Sequence, residues 1–192
     1  MPANTAIKVC SRASILIGGS PISSFSEGTT EADICDAMYE DIARSALVNT
    51  RWRFATNQQV LNRLSSVPTG RYDAAYQLPS GWLMTHAVTV NDTPIEYQTY
   101  GNKVYCNEPA NSELILDYTY RADEIDWPSY FTIAVQYEMA SVFASSLARD
   151  NGLSSTMQQQ AQLSMMKARS LDAQQQTTRK LNTSRFIAQR RS

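Results

Sequence analysis

Apolar residues return along this chain with two different periods. Ala6, Val9, Cys10, Ala13, Leu16 and Ile17 recur every three or four positions and line one face of a helix. Gly18-Gly19 and Pro21 then stop it, since neither residue type sustains a helix. The polar stretch SFSEGTTEAD ends in Thr30-x-x-Asp33, a loose capping box. Beyond it Ile34, Met38, Ile42 and Ala46 share a face, with Cys35 and Tyr39 beside it. The spacing predicts a first helix over about 5–18 and a second over about 30–49.

The period then falls from near four to two. Trp52 and Phe54 alternate with Arg51 and Arg53, which predicts a chain leaving the helices in extended form. Residues 76–78, 83–90, 95–100, 103–106 and 114–121 are rich in β-branched and aromatic types, with turn residues such as Asn91-Asp92 and Gly101-Asn102 between them. In the last segment Leu114, Leu116, Tyr118 and Tyr120 point one way and Asp117, Thr119 and Arg121 the other. This pattern predicts a small antiparallel sheet with one buried face.

Helix-start chemistry returns at DEIDWPSYF. Pro128 fits a first turn, and the acids before it suit the positive end of a helix dipole. A third helix over about 128–149 is rich in Ala and Ser, allowing close approach to a neighbour. Asn151-Gly152 is expected to break it. A stripe of Leu153, Met157, Ala161, Ser164, Ala168 and Leu171 then marks a fourth helix over about 153–176, antiparallel to the third.

The expected fold is α+β: an α-helical bundle of about four helices with a small antiparallel β-sheet inserted, the β-region covering about 51–121. One domain over residues 1–177 and an extended basic C-terminal arm over 178–192 account for the 192 residues.

Charge divides the chain in the same place. Before residue 179, twelve basic residues stand against eighteen acidic ones, a net charge of six negative. After it come Arg179, Lys180, Arg185, Arg190 and Arg191 with no acid. Such an arm is suited to an acidic surface, while the body repels nucleic acid. Leu181, Phe186 and Ile187 are the arm's only large apolar residues and are too irregular for an amphipathic helix, so it is expected to be extended or disordered in the free subunit. Cys10, Cys35 and Cys106 are too few and scattered for a disulfide framework or a zinc site and read as small buried hydrophobes. No apolar run of signal-peptide or membrane-spanning length occurs, so assembly in a reducing cytoplasm without a membrane partner is expected.

Catalytic patterns are sparse, and no enzyme activity, metal or cofactor is expected. The single histidine, His86, sits in a predicted strand with no second ligand at metal or triad spacing. IGGSP lacks the Lys and Ser/Thr that complete a phosphate loop. Asp123, Glu124 and Asp126 fit solvated capping better than a cation site. Tyrosines concentrate in the sheet, but between Pro68 and Asp126 only Arg71, Lys103 and Arg121 are basic, against nine acids. An acidic sheet is a poor base-stacking surface, which leaves a core or protein-interface role.

In order and spacing these pieces resemble the podovirus head-to-tail adaptor family, which includes tail tubular protein A of short-tailed bacteriophages. ASILIGGSPISSFSEGTTEADICDAMYEDIARSALVNTRWRFA is similar to the family's opening, where a helix ending in Gly and a following loop lead to a second helix closed by a Trp-x-Phe-Ala step, here Trp52 to Ala55. YQLPSGWLM resembles the family's Tyr-x-Leu-Pro start of a strand, although Ser80 stands where an acid commonly follows the proline. ELILDYTYRADEIDWPSYFTIAVQYEMASVFASSLARDNGL resembles the strand, Trp-Pro start and Ala-rich helix that come after it.

The resemblance implies a structural virion protein with a place rather than a reaction. Subunits would form a ring, in this family a dodecamer, between the portal protein and the tail nozzle protein, and genome DNA would pass through without specific binding. It further implies a tail-nozzle contact through Tyr97, Tyr100, Lys103 and Tyr105. A portal or neighbouring-subunit contact is expected through Arg179, Lys180, Arg185, Phe186, Arg190 and Arg191. The alternative is a DNA-binding protein that uses the basic arm, marked by a strongly salt-dependent affinity for DNA.

Overall fold

The computed structural model describes residues 5–66, 68 and 70–175. Among the described residues four α-helices flank the β-region in chain order: α1 (Ala6–Leu16) and α2 (Thr30–Val48) before it, α3 (Ser129–Ser146) and α4 (Asn151–Gln174) after it. Thr5 caps α1, its hydroxyl accepting from the Lys8 amide at 3.3 Å, and the helix closes where Gly18 takes a φ of 81°. The cap of α2 is Thr29, one residue before the predicted box; its hydroxyl accepts from the Ala32 amide at 3.3 Å. The break between α3 and α4 falls at Arg149, with a φ of 48°. Asn151 and Gly152 begin α4 instead of ending α3, because the Asp150 carboxylate accepts from the amides of Gly152 and Leu153 at 2.8 and 3.0 Å.

α3 and α4 form the expected antiparallel hairpin. The hydroxyl of Ser154, early in α4, donates to the Ser141 carbonyl late in α3, and the Tyr130 hydroxyl at the start of α3 donates to Asp172 near the end of α4. Ala134, Ala140 and Ala144 of α3 and Ala161 and Ala168 of α4 are buried, so small side chains lie where the helices meet.

Seven strands follow α2: β1 (Thr56–Val60), β2 (Ala74–Gln77), β3 (Trp82–Val90), β4 (Thr93–Pro94), β5 (Gln98–Tyr100), β6 (Lys103–Cys106) and β7 (Ile115–Tyr120). The single sheet of the sequence pattern divides into two antiparallel ones, ordered β1-β7-β3-β4 and β2-β6-β5. The division follows from residues having both faces to cover: Ala74, Tyr76, Val104 and Cys106 of one sheet pack with Val88, Leu116 and Tyr118 of the other. Asn91 and Asp92, with φ of 50° and 61°, make the tight hairpin between β3 and β4.

A second core lies among α1, α2, α3 and α4, built on Val9, Cys35, Tyr39, Leu47, Trp52, Phe131 and Met165. Tyr120 at the end of β7 packs against both cores, and its hydroxyl donates to the Phe54 carbonyl at 3.1 Å. Cys10, Cys35 and Cys106 are buried free thiols. No helix among the described residues is long and apolar enough to cross a membrane.

Candidate functional site

The tyrosines assigned to the sheet separate on folding. In β6, Val104 and Cys106 point to the core, which places Lys103 and Tyr105 on the opposite face. The register sets Tyr100 against Lys103 and Gln98 against Tyr105, so Tyr100 shares that outer face. The rings of Tyr100 and Tyr105 meet edge to face at 5.6 Å, and Tyr72 continues the row 6.1 Å from Tyr105. The Arg71 guanidinium lies 5.4 Å from the centre of the Tyr72 ring. A hydrogen bond with the Tyr100 hydroxyl, and then the field of Tyr72, raise the Arg71 pKa.

The outer face of this sheet is therefore aromatic and locally basic, although the segment as a whole is acidic. Tyr97 does not join it. β5 begins one residue later, and Tyr97 packs against the β-core. Arg71 and Tyr72 were not part of the sequence-derived set, because they sit before β2 in a stretch with no period. Tyr100 remains 51 % exposed and β5 is the sheet's edge, so the row is open to a partner. Beside it Tyr72, Glu96, Gln98 and Glu108 help line a cleft of about 520 Å³.

A second surface lies where α2 ends. Thr50, Arg51, Arg53, Arg169 and Asp172 line a cleft of about 770 Å³ between the Trp52-to-Ala55 step, β7 and the end of α4. Arg51 pairs with Asp117 at 3.1 Å. Arg53 and Arg169 donate to neutral acceptors, the Gln175 carbonyl at 3.3 Å and Asn49 Oδ1. Asp172 is buried and committed elsewhere: one oxygen accepts from the Arg53 amide at 3.2 Å and the other from the Tyr130 hydroxyl at 3.0 Å. Burial and the bond to Asp172 push the Tyr130 hydroxyl up to about 12. The predicted arm contacts, Arg179, Lys180, Arg185, Phe186, Arg190 and Arg191, lie outside the described residues, which reach Gln175 beside this cleft.

No protein-family model matches the chain, and no curated protein matches it in sequence.

The acids before α3 are not simply solvated caps. Glu124 accepts from the Tyr39 hydroxyl at 2.9 Å and pairs with Arg121, which also grips Glu40 of α2 at 3.0 Å. Burial alone would lower the Arg121 pKa, but its hydrogen bonds to Glu40 and Glu124 outweigh that and raise it. Asp123 and Asp126 stay exposed. Among the described residues no group of His, Cys, Asp and Glu is arranged to hold a metal ion. His86 shares a 2.7 Å hydrogen bond with the buried Thr119 hydroxyl, and burial, then Arg51, lower its pKa.

Proposed function

We propose that this protein is a structural subunit of a bacteriophage head-to-tail adaptor, similar to tail tubular protein A. Copies form a ring between portal and tail nozzle, twelve in the family it resembles. The ring is a conduit for genome DNA and a platform for tail assembly, and the protein resides in the virion rather than acting as an enzyme.

One observation carries this proposal: the motifs that bear the resemblance, distant in sequence, pack on one another. Trp52 and Phe54 of the Trp-x-Phe-Ala step lie 5.1 and 4.9 Å from Phe131, and Trp127 of the Trp-Pro start lies 4.9 Å from the same ring. The two indoles are fixed by donating to the carbonyls of Ala46 and Ala122, each at 2.9 Å. Residues with that shared structural task are the ones a family would be expected to keep together. The build also has two distinct ends, a helical one and a tyrosine-faced sheet, as a protein joining two different partners requires. Six net negative charges before residue 179 favour passage of DNA over gripping it.

The test is negative-stain electron microscopy of the purified protein mixed with podovirus portal rings. A capped ring on the portal is expected, with tail nozzle protein adding to its far side. Failure to dock on any portal, together with DNA affinity that falls steeply with salt, would replace this proposal with the DNA-binding alternative.

A further inference from the structure

α2 separates two surfaces of opposite charge. Asp33, Asp36, Glu40 and Asp41 occupy its solvent side, and the Arg121 bridge brings the turn bearing exposed Asp123 and Asp126 against the same stretch. At its other end is the cleft of Arg51, Arg53 and Arg169, where the two guanidinium groups of Arg53 and Arg169 meet only neutral acceptors among the described residues. Guanidinium groups hold carboxylates in a two-pronged geometry that a single carbonyl does not supply.

A subunit's own Asp33 and Asp36 cannot fill the cleft: they lie 15 and 12 positions before the helix end at Val48, roughly 22 and 18 Å along a helix at about 1.5 Å per residue. The cleft's own acids are committed, Asp117 to Arg51 and Asp172 to the Arg53 amide and the Tyr130 hydroxyl, so carboxylates for Arg53 and Arg169 would come from another molecule, and a second copy presents them on a rigid helix.

We propose that the arginine cleft receives the acidic side of α2 from a second copy of this chain, in a head-to-tail contact. Such a contact uses two different patches, so it repeats from copy to copy and closes into a ring when the rotation allows. It identifies the subunit contact of the proposed adaptor ring and rests on that proposal for its setting. The pairing itself needs only this protein.

Charge exchange followed by sedimentation velocity at low salt tests it. Wild-type protein is expected to associate weakly as concentration rises and to lose this in high salt. Arg53→Glu with Arg169→Glu, and separately Asp33→Lys with Asp36→Lys, should each weaken association about tenfold or more, and mixing the two variants should restore it. Circular dichroism checks their folding. If the reversed cleft does not fold, Arg53→Gln with Arg169→Gln should show a smaller loss. Unchanged association in folded variants, no restoration on mixing, or loss of binding to a labelled DNA duplex in place of self-association would each overturn the contact. Rings that still form normally on a portal from folded charge-reversed protein would reject this contact and leave the adaptor proposal standing. Restored pairing in solution without portal docking would do the reverse.

Discussion

Glu27 shows how one side chain can organise a loop that has no core of its own. Its carboxylate accepts from the Ser23 amide and hydroxyl, the Ser24 amide and the Thr29 hydroxyl, and Thr29 is the cap of α2. The Ser23 hydroxyl, then the Ser23 amide and the Thr29 hydroxyl, lower its pKa to about 2 from an ordinary 4.5. A depressed carboxylate stabilises the fold above its unfolded pKa and loses that contribution as pH falls through the folded one. The Ser23–Thr29 loop should therefore hold its shape at pH 4 and loosen only near pH 2, and Glu27→Gln should loosen it at neutral pH. A carboxyl NMR titration of Glu27 with a midpoint near 4.5 would contradict this. Arg121 was legible only as one of three basic residues in the sheet region. Its role depends on Glu40, 81 positions away, and sequence spacing carries no sign of that meeting.

At the scale of elements, α1, α2 and α4 were legible because each buries a stripe of regular period, and α3, which is buried on more than one face, was legible from its Trp-Pro start and its Ala and Ser content. On α2 the stripe turns toward Cys35, Tyr39, Ala43 and Leu47, leaving Met38 41 % exposed, because six apolar candidates were spread over more than one face. β1 was not legible as a strand: Thr-Asn-Gln-Gln-Val has almost no buried position, and its conformation comes from pairing along β7. Period two and the Gly101-Asn102 turn put Tyr100, Lys103 and Tyr105 on one face, whereas Tyr97, an odd number of positions from Tyr100 and one residue before β5, turns to the core. The aromatic row should act as one unit in binding. Lys103→Glu with Tyr105→Glu should impair nozzle attachment and spare portal docking, and Tyr72→Ala should reproduce part of that loss. A pull-down with tail nozzle protein measures both. Loss of portal docking with the nozzle contact intact would exchange the two ends.

For the whole molecule, Ala168 and Asp172 are the last buried residues among those described, and both precede the basic arm. Ending the chain after Thr177 should leave the thermal midpoint nearly unchanged, while portal attachment weakens and heads leak DNA. Truncated protein that supports a normal yield of infectious particles would show the arm to be a solvated tail. The intact protein should remain monomeric at micromolar concentration and ordinary salt, since exposed charge pairs are individually weak and screened. A stable ring by light scattering under those conditions would contradict a template-triggered assembly.

Asp172 bonds an amide that left the ribosome 119 residues earlier and a hydroxyl 42 residues earlier. During synthesis the Trp52-to-Ala55 step and the start of α3 must wait, with polar groups unanswered, until almost all of α4 has emerged. A bond closing so long a loop is costly to form early, so it belongs on the native side of the folding barrier. Asp172→Ala should therefore raise the unfolding rate and leave the refolding rate close to wild type in stopped-flow measurements, with a total loss of about 1–3 kcal/mol. A slowed refolding limb would mean that the end of α4 is part of the nucleus. If it is not, α4 works as a latch on a body already assembled, and the time for which the protein stays folded is set at the end of that helix.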